Sequence, residues 1–123
     1  MIKISVLVSG GGTNLQALID SQNNGILKSG QVVQVISSSK NAFALERAKK
    51  ANIFSQAVNF KDFDSQEDFE SEILKALKKF NPEVIILAGF MHILSKNFID
   101  SCNAKIINIH PSLIPAFCGK GFY

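Results

Sequence analysis

The chain has little cysteine, no long apolar run and no block of like charge, and each absence removes a class of protein. Its two cysteines, Cys102 and Cys118, have neither metal-ligand spacing nor a companion histidine pattern. A metal site and a disulfide framework are therefore set aside, and the thiols read as reduced groups of a cytoplasmic protein. The opening residues 1–8 hold Lys3 and a short apolar stretch that runs into glycines. That stretch is too short for the core and cleavage site of a signal peptide, and far too short for a membrane span. Thirteen Lys and Arg against ten Asp and Glu leave a formal charge of +3. A nucleic-acid binder clusters its cations, whereas Lys75, Lys78 and Lys79 are spaced as a solvated helix face. A small anionic ligand remains compatible with this balance. No internal repeat or low-complexity segment occurs.

What is present suits one globular unit. With 123 residues, 46% hydrophobic and 19% charged, the chain can bury one core but not two, so residues 1–123 are expected to form a single domain. Apolar stretches of strand length alternate with longer stretches of helical period. Strands are expected at 3–9, 32–37, 55–58, 83–88 and 104–110. Between them lie helices at 14–21, 42–51, from about 66 to 80, and at 95–101. The third helix carries the clearest pattern: Asp64 or Ser65 as N-cap, Glu67 and Asp68 in the first turn, then a stripe of Phe69, Ile73, Leu77 and Phe80 that Pro82 ends. Such alternation implies an α/β fold with right-handed crossovers, a Rossmann-like doubly wound parallel sheet of strand order 3-2-1-4-5. Ligands of such sheets sit outside the carboxyl ends of the strands, which selects the segments 9–14, 89–94 and 108–111.

The first of these, Ser-Gly-Gly-Gly-Thr-Asn at 9–14, joins a strand to a helix. Glycines let backbone N–H groups approach a ligand closely, and the helix N-terminus adds unpaired donors and a positive dipole end. Gly11, Gly12, Thr13 and Asn14 are thus candidates for a phosphate, against the plainer reading of a tight turn. A dinucleotide site is disfavoured, since Leu15 stands where the fingerprint needs a third glycine. The second strand is followed by Ser37, Ser38, Ser39 and Lys40 rather than by an acidic residue. An NADP enzyme survives that test and an NAD enzyme does not.

Asn108 and His110 lie two apart in a strand, so they share a face, with Ile107 and Ile109 opposite. Polar residues at the end of an interior strand are costly unless paired or functional. An amide beside an imidazole suits acyl transfer: the amide donates to an oxygen that becomes negative, and a protonated His returns a proton to the leaving amine. A His in that role normally has an orienting carboxylate. No Asp or Glu follows Asp100, and none of the earlier ones is expected at a carboxyl-end loop.

At these residues the chain resembles phosphoribosylglycinamide formyltransferase. The resemblance rests on 9–17 (SGGGTNLQA), on 87–91 (LAGFM) with Ile93 and Leu94, and on 108–115 (NIHPSLIP), and it runs the whole length of the chain. The last segment is shared with methionyl-tRNA formyltransferase and formyltetrahydrofolate hydrolase, while the glycine loop looks like that of the glycinamide enzyme. The resemblance implies transfer of a formyl group from 10-formyltetrahydrofolate, the co-substrate, to the amine of 5-phosphoribosylglycinamide in purine biosynthesis, with no metal, nucleic acid or membrane involved. By position, it implies that Gly11, Gly12, Thr13 and Asn14 hold the substrate phosphate and that Met91, His92, Ile93 and Leu94 line the folate pocket. Asn108 would contact the formyl oxygen and His110 would be the proton donor. Gln66 and His92 stand where relatives often have basic residues near the folate. Relatives also continue past this length and supply a catalytic Asp and further strands. The chain is therefore expected to be an amino-terminal portion, inactive alone and left with an open sheet edge. A non-catalytic phosphate- or nucleotide-binding module is the alternative from another class.

Overall fold

A computed structural model of the chain describes residues 2–26 and 29–109. Five strands, β1 (Ile2–Val8), β2 (Gly30–Ser37), β3 (Phe54–Ala57), β4 (Val84–Ala88) and β5 (Lys105–Ile109), alternate with helices α1 (Thr13–Asn23), α2 (Phe43–Lys50), α3 (Gln66–Lys78) and α4 (Lys96–Ser101). A single 3-10 turn, Phe60–Asp62, lies between β3 and α3. All strand pairs are parallel and the order is β3-β2-β1-β4-β5, as the alternation of patterns implies.

Two apolar layers sandwich the sheet, covering the central strands on both faces. Val6, Val8, Val35 and Ile109 pack on one side with Leu15 and Leu18 of α1 and Ala44 and Ala48 of α2. Leu7, Ile36 and Ile85 pack on the other with Phe69, Ile73 and Leu77 of α3 and Phe98 of α4. Phe69, Ile73 and Leu77 of the stripe read on α3 are buried, whereas Phe80 lies just past the helix end and is half-buried. The helix start is capped by Ser65, whose hydroxyl accepts from the Asp68 N–H at 3.1 Å, an interaction of about 1 kcal/mol. Pro82 follows the helix end by a few residues. One polar pair crosses the second layer: the buried Ser5 hydroxyl donates to Gln34 Oε1 at 2.7 Å, and Gln34 Nε2 donates to the Ala76 carbonyl at 2.8 Å. This fixes α3 against β1 and β2 without leaving a buried amide unpaired.

Element boundaries differ from expectation by at most two residues, as frayed ends do. The 3-10 turn after β3 carries no apolar period and was not expected. Among the described residues β5 is an edge strand, and Asn108 on it is exposed. The cost of burying an amide therefore does not apply to Asn108, and its placement has to be judged on position alone. No described helix is long and apolar enough to cross a membrane.

Candidate functional site

The carboxyl ends of β1, β4 and β5 lie side by side and carry the segments selected from the sequence. Residue Val8 ends β1, Ala88 ends β4 and Ile109 ends β5. Asn108 pairs in register with Leu87, so it stands two strand spacings, about 10 Å, from the end of β1.

Gly12 is the N-cap of α1 and has φ of +80°, the left-handed region. A Cβ there would also stand 2.7 Å from the Ala44 Cβ and 2.8 Å from its Cα. Glycine is required at this position by backbone conformation and by the approach of α2. Gly10 and Gly11 are different, because a Cβ on either would meet nothing within 4 Å. Open space above these two residues is what a bound anion needs. The cap of α1 has no side-chain hydrogen bond and its first turn has no acidic residue, so the dipole end is not neutralised from within the helix. Thr13 is exposed, whereas Asn14 is buried, which leaves its backbone N–H rather than its side chain for a ligand. Arg47 of α2 braces the loop from behind: its Nε donates to the Gly11 carbonyl at 2.8 Å and its Nη1 to Gln16 Oε1 at 3.3 Å.

The loop after β4 reaches over to meet this one. The Met91 N–H donates to Ser9 Oγ at 2.9 Å, and Ser9 Oγ shares a hydrogen bond of 2.7 Å with Ser38 Oγ after β2. One hydroxyl thereby ties the loops of three adjacent strands together. Met91 and Ile93 are largely exposed, 80% and 89%, which leaves their side chains free for contact. Leu94 instead packs into the layer around Phe69. His92 is half-buried among rings, stacked on Phe60 at 4.3 Å and edge-on to Phe69 at 5.3 Å and Phe90 at 5.4 Å. Burial pushes its pKa down, so at neutral pH it is an uncharged ring.

What holds this loop in place is a residue that sequence reasoning missed. Glu70 of α3 is buried; its carboxylate accepts from the Ser95 N–H at 2.8 Å, the Ser95 hydroxyl at 2.6 Å and Gln66 Nε2 at 2.9 Å. Burial alone would raise its pKa, but these donors outweigh burial and leave the carboxyl below the usual range. Gln66 also donates to the Ile93 carbonyl at 2.7 Å, so its amide is occupied with the loop itself. The signal was present: Glu70 precedes Ile73 by three and Leu77 by seven, which puts a charge inside the apolar stripe. The expectation that no acidic residue stands at a carboxyl-end loop is corrected by Asp62, which accepts from Asn59 Nδ2 at 3.2 Å in the connection after β3, while Glu70 reaches the loop after β4 from within α3. Both are engaged with neighbouring groups among the described residues. His110 lies outside the described residues. Among the described residues no group of three or more His, Cys, Asp or Glu could hold a metal ion.

Two concavities accompany this geometry. One, about 490 Å³, opens beside Ser9, Met91 and His92 at the carboxyl end. The other, about 530 Å³, lies at the opposite end of the sheet among Leu77, Lys78, Pro82, Glu83 and Cys102. The larger is at the wrong end for an α/β sheet and holds none of the candidate residues.

Comparison with known proteins gives the family and the fold. A family model described as formyl transferase matches residues 2–122. The phosphoribosylglycinamide formyltransferase of Escherichia coli (strain K12) is 42% identical over 118 residues, which cover 96% of this chain and 55% of that protein. A trifunctional purine biosynthetic protein adenosine-3 of Chironomus tentans is 45% identical over 120 residues, 95% of this chain and 9% of that one. The solved phosphoribosylglycinamide formyltransferase of Coxiella burnetii superposes with a TM-score of 0.83 at 41% identity, covering 94% of this chain and 54% of that one. The chain thus spans about half the length of the single-function relatives it matches.

Proposed function

The chain belongs to the formyl transferase family, and from that premise we propose that it supplies the substrate-phosphate loop and part of the folate pocket of a phosphoribosylglycinamide formyltransferase. The carrying observation is the Ser9 hydroxyl, which accepts from the Met91 N–H and so brings the glycine loop and the Met91–Leu94 segment to one crevice. Gly11, Gly12, Thr13 and Asn14 bind the phosphate of 5-phosphoribosylglycinamide through backbone N–H groups and the α1 dipole. Met91, His92, Ile93 and Leu94, with Gln66 behind them, form a wall for 10-formyltetrahydrofolate.

In this reading the substrate amine attacks the formyl carbon while Asn108 donates to the formyl oxygen as it turns negative. The bond from carbon to the carrier nitrogen then breaks, His110 protonates that nitrogen, and the attacking amine passes its own proton to the imidazole left neutral. Residues 1–123 act as the amino-terminal portion of one domain, and the carboxylate that orients His110 comes from a segment outside them. Support for that division is that relatives are about twice as long and that Glu70 and Asp62 are otherwise engaged. A cytoplasmic setting follows from the substrates.

Formyl transfer is to be assayed with the chain alone and mixed with the carboxyl-terminal half of the Escherichia coli relative. Transfer is expected only in the mixture. Turnover by the chain alone at the rate of a full-length relative, or phosphate binding without any rescue, would overturn the reading; the latter outcome favours a non-catalytic phosphate-binding module.

A further inference from the structure

Ala44 and Arg47 stand three apart on α2, so both reach the same neighbour, and that neighbour is the glycine loop. The Ala44 N–H, one of the first-turn donors that a helix leaves unpaired, donates to the Gly10 carbonyl at 3.2 Å. The Arg47 Nε donates to the Gly11 carbonyl at 2.8 Å. In a trans peptide the C=O and the following N–H point in opposite directions. A Gly10 carbonyl drawn to α2 therefore turns the Gly11 N–H away from that helix. The Gly11 carbonyl drawn to Arg47 does the same for the Gly12 N–H. Among the described residues no group accepts from either N–H. The guanidinium is itself held: Nη1 donates to Gln16 Oε1 at 3.3 Å, and Gln16 Nε2 donates to Asp20 Oδ1 at 3.0 Å. Its Cζ lies 5.0 Å from the centroid of the Phe43 ring, so the arginine is stacked as well as bridged.

We propose that Arg47 is a positioning residue of the phosphate loop: by holding the Gly11 carbonyl it keeps the Gly12 N–H aimed outward for an oxyanion before any ligand arrives. The Gly11–Gly12 peptide lies between two glycines, the residues that least resist rotation of a peptide plane. In the reversed orientation the carbonyl, not the N–H, would face the open side and repel an anion. The bond from Arg47 selects between the two orientations, and a charged donor makes that bond one of the stronger kind. A donor fixed in advance costs no rearrangement on binding. Arg47 itself touches no ligand in this scheme and acts through the loop. That the oxyanion is the phosphate of 5-phosphoribosylglycinamide rests on the proposed function. That Arg47 selects the orientation of the peptide does not.

Two substitutions separate the bond from the bulk of the side chain. Glutamine carries an N–H donor at the atom position of the arginine Nε, and methionine carries a methyl group there. Arg47→Gln therefore keeps a donor to the Gly11 carbonyl, and Arg47→Met removes it with the stem in place. The N–H directions of the ligand-free, isotope-labelled chain are read from residual dipolar couplings. Gly12 is expected to keep its wild-type coupling in Arg47→Gln and to lose it in Arg47→Met, with Val6 and Val35 in the sheet unchanged in both. Affinity for inorganic phosphate, read from the Gly11 and Gly12 amide shifts, should fall roughly tenfold in Arg47→Met, the scale of one lost bond to a charged group. It should largely return in Arg47→Gln. An unmoved Gly12 coupling in Arg47→Met or a displaced one in Arg47→Gln overturns the proposal. So does an Arg47→Gln chain that binds phosphate as weakly as Arg47→Met, since charge alone would then be what Arg47 contributes. The proposed function fails separately: wild-type glycine amides that ignore phosphate would sink the phosphate loop, while the dipolar couplings still decide the role of Arg47.

Discussion

The glycine loop after β1 and the apolar loop after β4 meet at Ser9, yet they are shaped by opposite means. The first takes its form from its own backbone: Gly12 sits in the left-handed region, and Ala44 leaves no room for a side chain. The second has no such internal constraint beyond Gly89, at φ of +72°. It is held from outside, by the Glu70 carboxylate under Ser95, by Gln66 under Ile93 and by Ser9 under Met91. A loop of the first kind is written in consecutive residues. A loop of the second kind depends on a residue twenty-five positions away.

The largest effect is expected at Gly12. Gly12→Ala adds a Cβ in a left-handed conformation, which costs about 1–2 kcal/mol, and presses it into Ala44, where overpacking adds about 1–3 kcal/mol. A loss of about 3 kcal/mol in denaturant unfolding is expected. Gly11→Ala, one residue away, should be nearly neutral to stability, within about 0.5 kcal/mol, while phosphate affinity falls. If both variants destabilise alike, the distinction between a packed and an open glycine is wrong.

Glu70→Gln tests the other loop. It keeps the shape, loses the charge and leaves Ser95 one acceptor short, an expected cost of about 1–3 kcal/mol by chemical denaturation. The pH dependence follows from the same group. Its folded pKa lies below the ordinary glutamate value, so its stabilisation is present above that ordinary value and is lost as pH falls through the folded one. Wild-type stability should therefore drop below about pH 4, near the unperturbed glutamate pKa. The Glu70→Gln profile should be flatter there, and two superimposable profiles would contradict the assignment.

Much of the fold was legible because its signals are local. Strand and helix periods, the Ser65 cap and the stop at Pro82 each lie within a few residues, and parallel crossover geometry then leaves few strand orders. The glycine loop was legible for the same reason. Glu70 was not, since a charge inside an apolar stripe reads as a flaw until the loop that satisfies it is seen. The stacking of His92 on Phe60 was equally hidden, being a contact between the connections after β3 and β4. Position 92 looked like a substituted cation, and the structure makes it a ring in an aromatic cluster. Asn108 was placed on the correct end of the sheet, although the edge position of β5 among the described residues removes the burial argument that first drew notice to it.

Smaller effects sharpen the contrast. Ser9→Ala removes the hydroxyl shared by three loops, and about 1 kcal/mol should be lost, with Met91 and Ser38 amide shifts moving together. Asn108→Ala lies on an exposed strand end and should change stability by no more than about 0.5 kcal/mol. In the mixture with the carboxyl-terminal half of a relative, it should nonetheless lower formyl transfer by about a hundredfold or more, the scale of one lost oxyanion donor.

The most direct measurement follows the amide resonances of the isotope-labelled chain while 5-phosphoribosylglycinamide is added. The backbone amides of Gly11, Gly12 and Thr13 and the side-chain amide of Asn108 are expected to shift along one saturation curve. Saturable binding that moves the glycine amides and leaves the Asn108 side chain untouched would show that the two ends of the crevice do not serve one ligand.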